Sequence, residues 1–166
     1  GGTADLRHIV VTHSADRALD WKFGWTGTAQ FVVLHAKDDE PGGILGNNSS
    51  FAYNILPRSN PLLANITLLR EASLGSAFNL EAGSTGALYN SIFSGYDHCI
   101  TLNDNTFDQD PDLRGNLLTC DAAGRQFPRD QNLQAWLEDD DNTMDLGAEV
   151  PPMIRPRGQA PDYRAD

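Results

Sequence analysis

Basic residues are scarce in this chain, and so are cysteine, methionine and long apolar runs. Twelve Lys and Arg stand against 23 Asp and Glu, a formal charge of −11. A surplus of that size repels phosphate backbones and anionic headgroups over a Debye length of about 8–10 Å, which excludes nucleic acid and bare anionic membrane as partners. No apolar run approaches the ~20 residues of a bilayer-crossing helix, so the chain has no membrane span. The opening Gly1-Gly2-Thr3-Ala4-Asp5 lacks the regions of a signal peptide. There is no glycine-rich phosphate loop or nucleophile elbow, and His8, His13, His35 and His98 do not have zinc-like spacing. The two cysteines leave two readings open. Cys99 and Cys120 either form one disulfide, worth roughly 3 kcal/mol in the chain-entropy model for a loop of about 20 residues, or Cys99 is a small apolar core residue.

What the chain does have is repetition. The segments His8-Ile9-Val10-Val11, Phe31-Val32-Val33-Leu34, Asn65-Ile66-Thr67-Leu68 and Asn90-Ser91-Ile92-Phe93 recur after 23, 34 and 25 residues. Each is followed by a second short segment: Ala18-Leu19-Asp20-Trp21, Ile44-Leu45-Gly46-Asn47, Ala77-Phe78-Asn79-Leu80 and Cys99-Ile100-Thr101-Leu102. Gly, Asn, Asp, Ser and Pro punctuate them, the chemistry of strands and turns. Recurrence at roughly 20–50 residues marks stacked repeats, so the expected fold is an all-β solenoid of about four coils. Ile9, Val32, Ile66 and Ile92 are expected to stack inward. The closing turns Trp25-Thr26-Gly27-Thr28-Ala29 and Ser84-Thr85-Gly86-Ala87-Leu88 share a Thr-Gly step, whose glycine is expected at positive φ.

The second coil is lengthened by Asn48 to Pro61, and insertions in solenoids emerge as loops on one face, often the binding face. Residues 1–102 form the coils. Residues 103–149 read as an irregular acidic cap with a short helix near 131–138, in which Asp130 is the N-cap and Trp136 lies over the last coil. Residues 150–166 read as a proline-rich extended tail.

The stretch Asp16 to Val33, with its Asp20-Trp21-Lys22-Phe23-Gly24-Trp25-Thr26-Gly27-Thr28-Ala29-Gln30 pattern, resembles a segment of uncharacterised bacterial secreted or surface proteins, often lipoproteins. Pro57-Arg58-Ser59-Asn60-Pro61 before Asn65-Ile66-Thr67-Leu68 carries the same resemblance. It implies a right-handed parallel β-helix of the pectate-lyase-like type over residues 5–102 and an extracytoplasmic location: periplasm, cell surface or secreted. Where the family shows an acidic Gly-Ile-Glu-Ala-Asp-Asn step, this chain has Gly43-Ile44-Leu45-Gly46-Asn47-Asn48, without either carboxylate.

Candidate site residues fall into three groups. Trp21 and Trp25, with Phe23 between them, form either a platform for sugar rings or a hydrophobic corner sealing a coil junction. Asp20, Tyr53 and Arg58 are candidates for ligand or partner contact. Asp108, Asp110 and Asp112 have the start of a calcium loop, but Leu113 and Thr119 stand where that loop needs glycine and glutamate. Asp16 and Asp20 would stack near Asp38, Asp39 and Glu40 at about 5 Å per coil. Such a ladder is either a solvated turn or, with Ca²⁺ or with Arg58 or Arg70, the beginnings of a uronate-cleaving site. The resulting reading is a non-catalytic extracytoplasmic β-helix, a scaffold or interaction subunit whose first coil is covered by a protein partner or by further coils. The alternative is a polysaccharide lyase, a glycoside hydrolase or a carbohydrate-binding module.

Overall fold

The computed structural model describes residues 1–36, 42–71, 74–102, 110–120 and 141–145. They form twelve strands and no helix, hence no helix long and apolar enough to cross a membrane. All strand pairs are parallel. One sheet runs β1 (Leu6–Ser14), β3 (Thr28–Ala36), β5 (Leu62–Leu69), β8 (Ile92–Ser94), β11 (Leu117–Leu118), β12 (Thr143–Met144), with β7 (Ala87–Tyr89) and β10 (Asp112–Arg114) beside it. The other sheet runs β2 (Leu19–Trp21), β4 (Ile44–Asn47), β6 (Ser76–Glu81), β9 (His98–Leu102). Up to β11, strands that neighbour one another in one sheet are separated in sequence by a strand of the other. This is the connectivity of a parallel β-solenoid.

The first-strand alignment holds residue for residue: Ile9 pairs with Val32 and Val32 with Ile66. The fourth member of that column is Ser91, not Ile92, because Ile92 pairs with Thr67 on the outer face. In the second sheet the register is Leu19, Ile44, Phe78, Ile100, one residue away from the expected pairing of Ile44 with Ala18 and Ala77. Small residues at Gly46, Ala77 and Cys99 blur the alternation that normally fixes register.

The rungs do not stop at Leu102. β10 lies in register on β7 and β11 on β8, and β12 follows on β11, so stacking extends into the region read as an irregular cap. The inner column continues there in polar form as Ser91, Asn116 and Asn142, all buried. Each side-chain oxygen accepts from the backbone N–H one rung below: Ser91 Oγ from Ile66 N (3.1 Å), Asn116 Oδ1 from Ser91 N (2.9 Å), Asn142 Oδ1 from Asn116 N (3.1 Å). The amide groups donate to Leu88 O and Leu113 O, which satisfies groups that would otherwise be costly to bury. Cys99 and Cys120 form a disulfide across the upper coil, with Cα atoms 5.2 Å apart. The helix expected near 131–138 and the 150–166 tail lie outside the described residues.

One position ahead of this column, His8, Phe31, Asn65, Asn90, Gly115 and Asp141 all have positive φ, between 50° and 65°. The chain therefore bends at one place on every rung. Gly27 and Gly86 are not at positive φ. Gly27 serves close approach instead, since a Cβ there would lie 1.9 Å from Ala4 O.

The core is a run of apolar side chains along the solenoid axis. Aromatic rings thread it: Trp21 to Trp25 at 5.6 Å, Trp21 to Phe78 at 6.2 Å, Phe78 to Phe93 at 6.3 Å. These rings bury large apolar area and join the first coil to the fourth.

Candidate functional site

The corner that follows the second sheet is built differently in its successive coils. In the first and third coils two residues at positive φ turn it: Phe23-Gly24 (55°, 79°) and Ala82-Gly83 (49°, 77°). The second coil has Asn48 at the equivalent place, bonded from Phe23 N to Asn48 O (2.8 Å), and detours through residues 49–58. The detour sits between the two glycine corners. A Cβ on Gly24 would meet Pro57 O at 2.3 Å and one on Gly83 would meet Tyr53 O at 2.2 Å, so the loop needs glycine on both sides.

Asn48 fixes the loop's shape. Fully buried, it donates from Nδ2 to Tyr53 O (2.7 Å) and Ile55 O (3.1 Å), and accepts at Oδ1 from Ser59 N (2.9 Å). Ser49 Oγ accepts from Phe51 N and Ala52 N. Ser59 Oγ accepts from Gly24 N (2.9 Å) and donates to Asn47 O (2.9 Å), closing the base. On this fixed backbone Phe51 is 93% exposed and Leu56 80%, with Tyr53, Ile55 and the neighbouring Phe23 about half exposed.

Beside the loop, the outer face of the second sheet carries charge of both signs. Asp20 pairs with Lys22 (3.4 Å), and Asn47 Nδ2 donates to Glu81 Oε1 (3.3 Å). Two carboxylates, an ammonium and an amide thus share one strand face next to an aromatic-bearing wall. A third group lies on the outer face of the first sheet, where Tyr89 donates to Asp112 Oδ2 (2.6 Å) and Arg114 Nε to Asp112 Oδ1. Hydrogen bonding to the carboxylate raises the Tyr89 pKa above the usual phenol value. Burial opposes ionisation of Asp112, but the bonds from Tyr89 and Arg114 and the guanidinium charge outweigh it and hold its pKa below the ordinary value.

The sequence candidates separate on this frame. Trp21 (4% exposed) and Trp25 (8%) are in the core, with their indole N–H groups spent on Ser84 Oγ and Ala4 O, both at 3.0 Å. This is the geometry of the sealed corner, with both indole donors already engaged. They do line a hollow of about 280 Å³ at the first coil, together with Leu6 and Leu19. Asp20 is exposed beside Lys22, while Tyr53 and Arg58 are on the loop, where Arg58 donates to Asn54. Asp112 opens β10 on the rung above this corner, its N–H bonded to Gly86 O (3.0 Å), with Asp110 two residues before it; Asp108, like Asp38, Asp39 and Glu40, lies outside the described residues. Among the described residues no three His, Cys, Asp or Glu come together as a set of metal ligands. Sequence reasoning located the loop by its extra length but missed Asn48, Phe51, Leu56, Lys22 and Glu81. The alternation of β2 and β6 was the available signal for the last two.

A parallel solenoid with one pre-shaped loop and a mixed-charge strand face is the class of protein that fold and site define. A family model described as "Pectate-lyase like beta helix domain" matches residues 1–143. The chain belongs to that family. No curated protein and no solved structure matches it.

Proposed function

We propose that this protein is a non-catalytic β-solenoid interaction module, and that the Phe51 loop is its contact with a partner. The observation that carries the reading is the loop's construction: two hydrogen bonds donated and one accepted by the Asn48 side chain, with two more accepted by Ser49 Oγ, hold a backbone whose tip exposes Phe51 and Leu56. A pre-ordered loop binds without a large ordering cost, and isolated large apolar groups in such a setting act as interface anchors. The hollow beside Trp21 and Trp25 supports cover for the first coil by a partner or by further coils. The disulfide supports an oxidising, extracytoplasmic compartment. A photo-crosslinking phenylalanine analogue at position 51, compared with one at exposed Leu74, tests the reading in the native setting. Adducts from position 51 alone are expected; none from it, or equal adducts from both, overturn it.

A second reading, a carbohydrate-active or carbohydrate-binding face, is favoured by Asp20, Lys22, Asn47 and Glu81 sharing one surface beside the loop. Paired carboxylates are the general acid and base of glycan cleavage. Incubation with acidic and neutral polysaccharides, with and without Ca²⁺, is expected to release new sugar ends that Asp20→Asn and Glu81→Gln abolish. Wild-type protein that releases none and binds none of them removes this reading.

A further inference from the structure

We infer that the occupant of the Phe51 loop is a second copy of this chain, with two loops meeting across a two-fold axis. This rests on the reading of the loop as a contact surface and names its partner.

Three observations point the same way. Phe51, exposed on nearly every side, stands as a knob rather than as part of a flat patch, and Asn48 and Ser49 prevent the backbone from folding it away. The inward positions beneath the corner are already filled by Trp21, Leu80 and Phe78, so the knob has no place in its own core. Exposed surface on Phe23, Phe51, Tyr53, Ile55 and Leu56 amounts to roughly 600 Å² per copy, or about 1,200 Å² for two, the lower edge of specific interfaces.

The rim selects between occupants. Around the loop stand Asp20 and Glu81 with Lys22 and Arg58, two charges of each sign. A rim that carries both signs can be complementary to itself across a two-fold axis, as an isologous interface requires. A strongly acidic or basic partner would call for a rim of one sign. The chain's acidic surplus lies elsewhere in the sequence: residues 103–150 hold twelve acidic against three basic residues, residues 1–102 nine against six. The repulsion between copies that −11 would produce is therefore not concentrated on the coils that carry the loop.

Sedimentation equilibrium and light scattering of the full chain over a wide concentration range provide the test. The wild type is expected to dimerise, and Phe51→Ser with Leu56→Ser to weaken the dimer at least a hundredfold with an unchanged far-ultraviolet spectrum. Val10→Ser, at an exposed apolar site remote from the loop, is expected to leave the dimer intact. A wild type that stays monomeric throughout overturns the proposal, as does a dimer indifferent to Phe51 and Leu56. The position-51 crosslink separates this failure from that of the underlying reading. An adduct of twice the chain mass supports the second copy, and an adduct with a different protein on a monomeric chain overturns it while preserving the docking role. No adduct on a monomer sinks both.

Discussion

The lower and upper rungs have the same architecture but are held together by different forces. Below, the inner column is Ile9, Val32 and Ile66, and cohesion is apolar and without direction. Above, it is Ser91, Asn116 and Asn142, each tied to the next by hydrogen bonds of fixed geometry, with the Cys99–Cys120 bridge alongside. An apolar column tolerates slippage, whereas a polar ladder is stable only when every member meets its neighbour, so the upper rungs specify register at the cost of fragility. The corners differ in parallel. His8 and Phe31 accept positive φ on the two lowest rungs, with their rings stacked at 5.3 Å, whereas Asn65 on the Ile66 rung and Asn90 and Gly115 above it are residue types that adopt it readily.

The largest effect is expected from Phe78→Ala, which empties the centre of the aromatic thread and costs about 3–5 kcal/mol. Because Phe78 contacts both Trp21 and Phe93, the whole chain is expected to lose stability in denaturant titration, with Trp fluorescence and upper-rung signals moving together. Separate transitions would mean the halves are independent. Asn116→Ala is next, at about 2–4 kcal/mol, because it strands the Ser91 N–H and Leu88 carbonyl in the interior. Hydrogen exchange is expected to rise in β10 to β12 while β1 to β6 stay protected, and a uniform rise would break the contrast between lower and upper rungs.

The third test concerns Tyr96, between β8 and β9 and 97% buried, with the Arg70 guanidinium 5.7 Å from its ring centre. Burial pushes its pKa up to about 12, only partly offset by the positive charges of Arg70 and Arg17 and by the Gly43 backbone. The folded state holds the phenol proton more tightly than the unfolded one, so this contribution is complete below pH about 10 and is lost as pH rises toward 12. A two-unit shift corresponds to about 3 kcal/mol at most. Spectrophotometric titration should find Tyr96 ionising late, a phase that Tyr96→Phe removes, and the same substitution should flatten the alkaline fall in stability. The smallest effect is expected from Phe31→Asn: relief at the corner offsets the lost stacking on His8, for a net change under about 0.5 kcal/mol. A cost near 2 kcal/mol would show that ring stacking, not corner chemistry, holds the lower bends.

The same contrast explains what could be read from residues alone. The lower column announced itself because Ile9, Val32 and Ile66 repeat an apolar signal at one place in each coil. The upper rungs did not, since Asn116 and Asn142 look like turn residues until the rung beneath supplies their partners. Asn48 escaped notice for a similar reason: its three partners are spread over residues 53–59 and converge only after folding. Trp21 and Trp25 were conspicuous by type, but the alternation that places them could not say which side was the core. Tyr89, Asp112 and Arg114 meet only because β10 stacks on β7.

Because each storey of the coil pivots on the same backbone torsion, from His8 to Asp141, length is a free variable in this design. A spare storey copied from the Asn65 to Tyr89 interval would find its hinge ready-made and its neighbours already shaped to receive it. Growth and shortening by whole storeys are thus open to this fold.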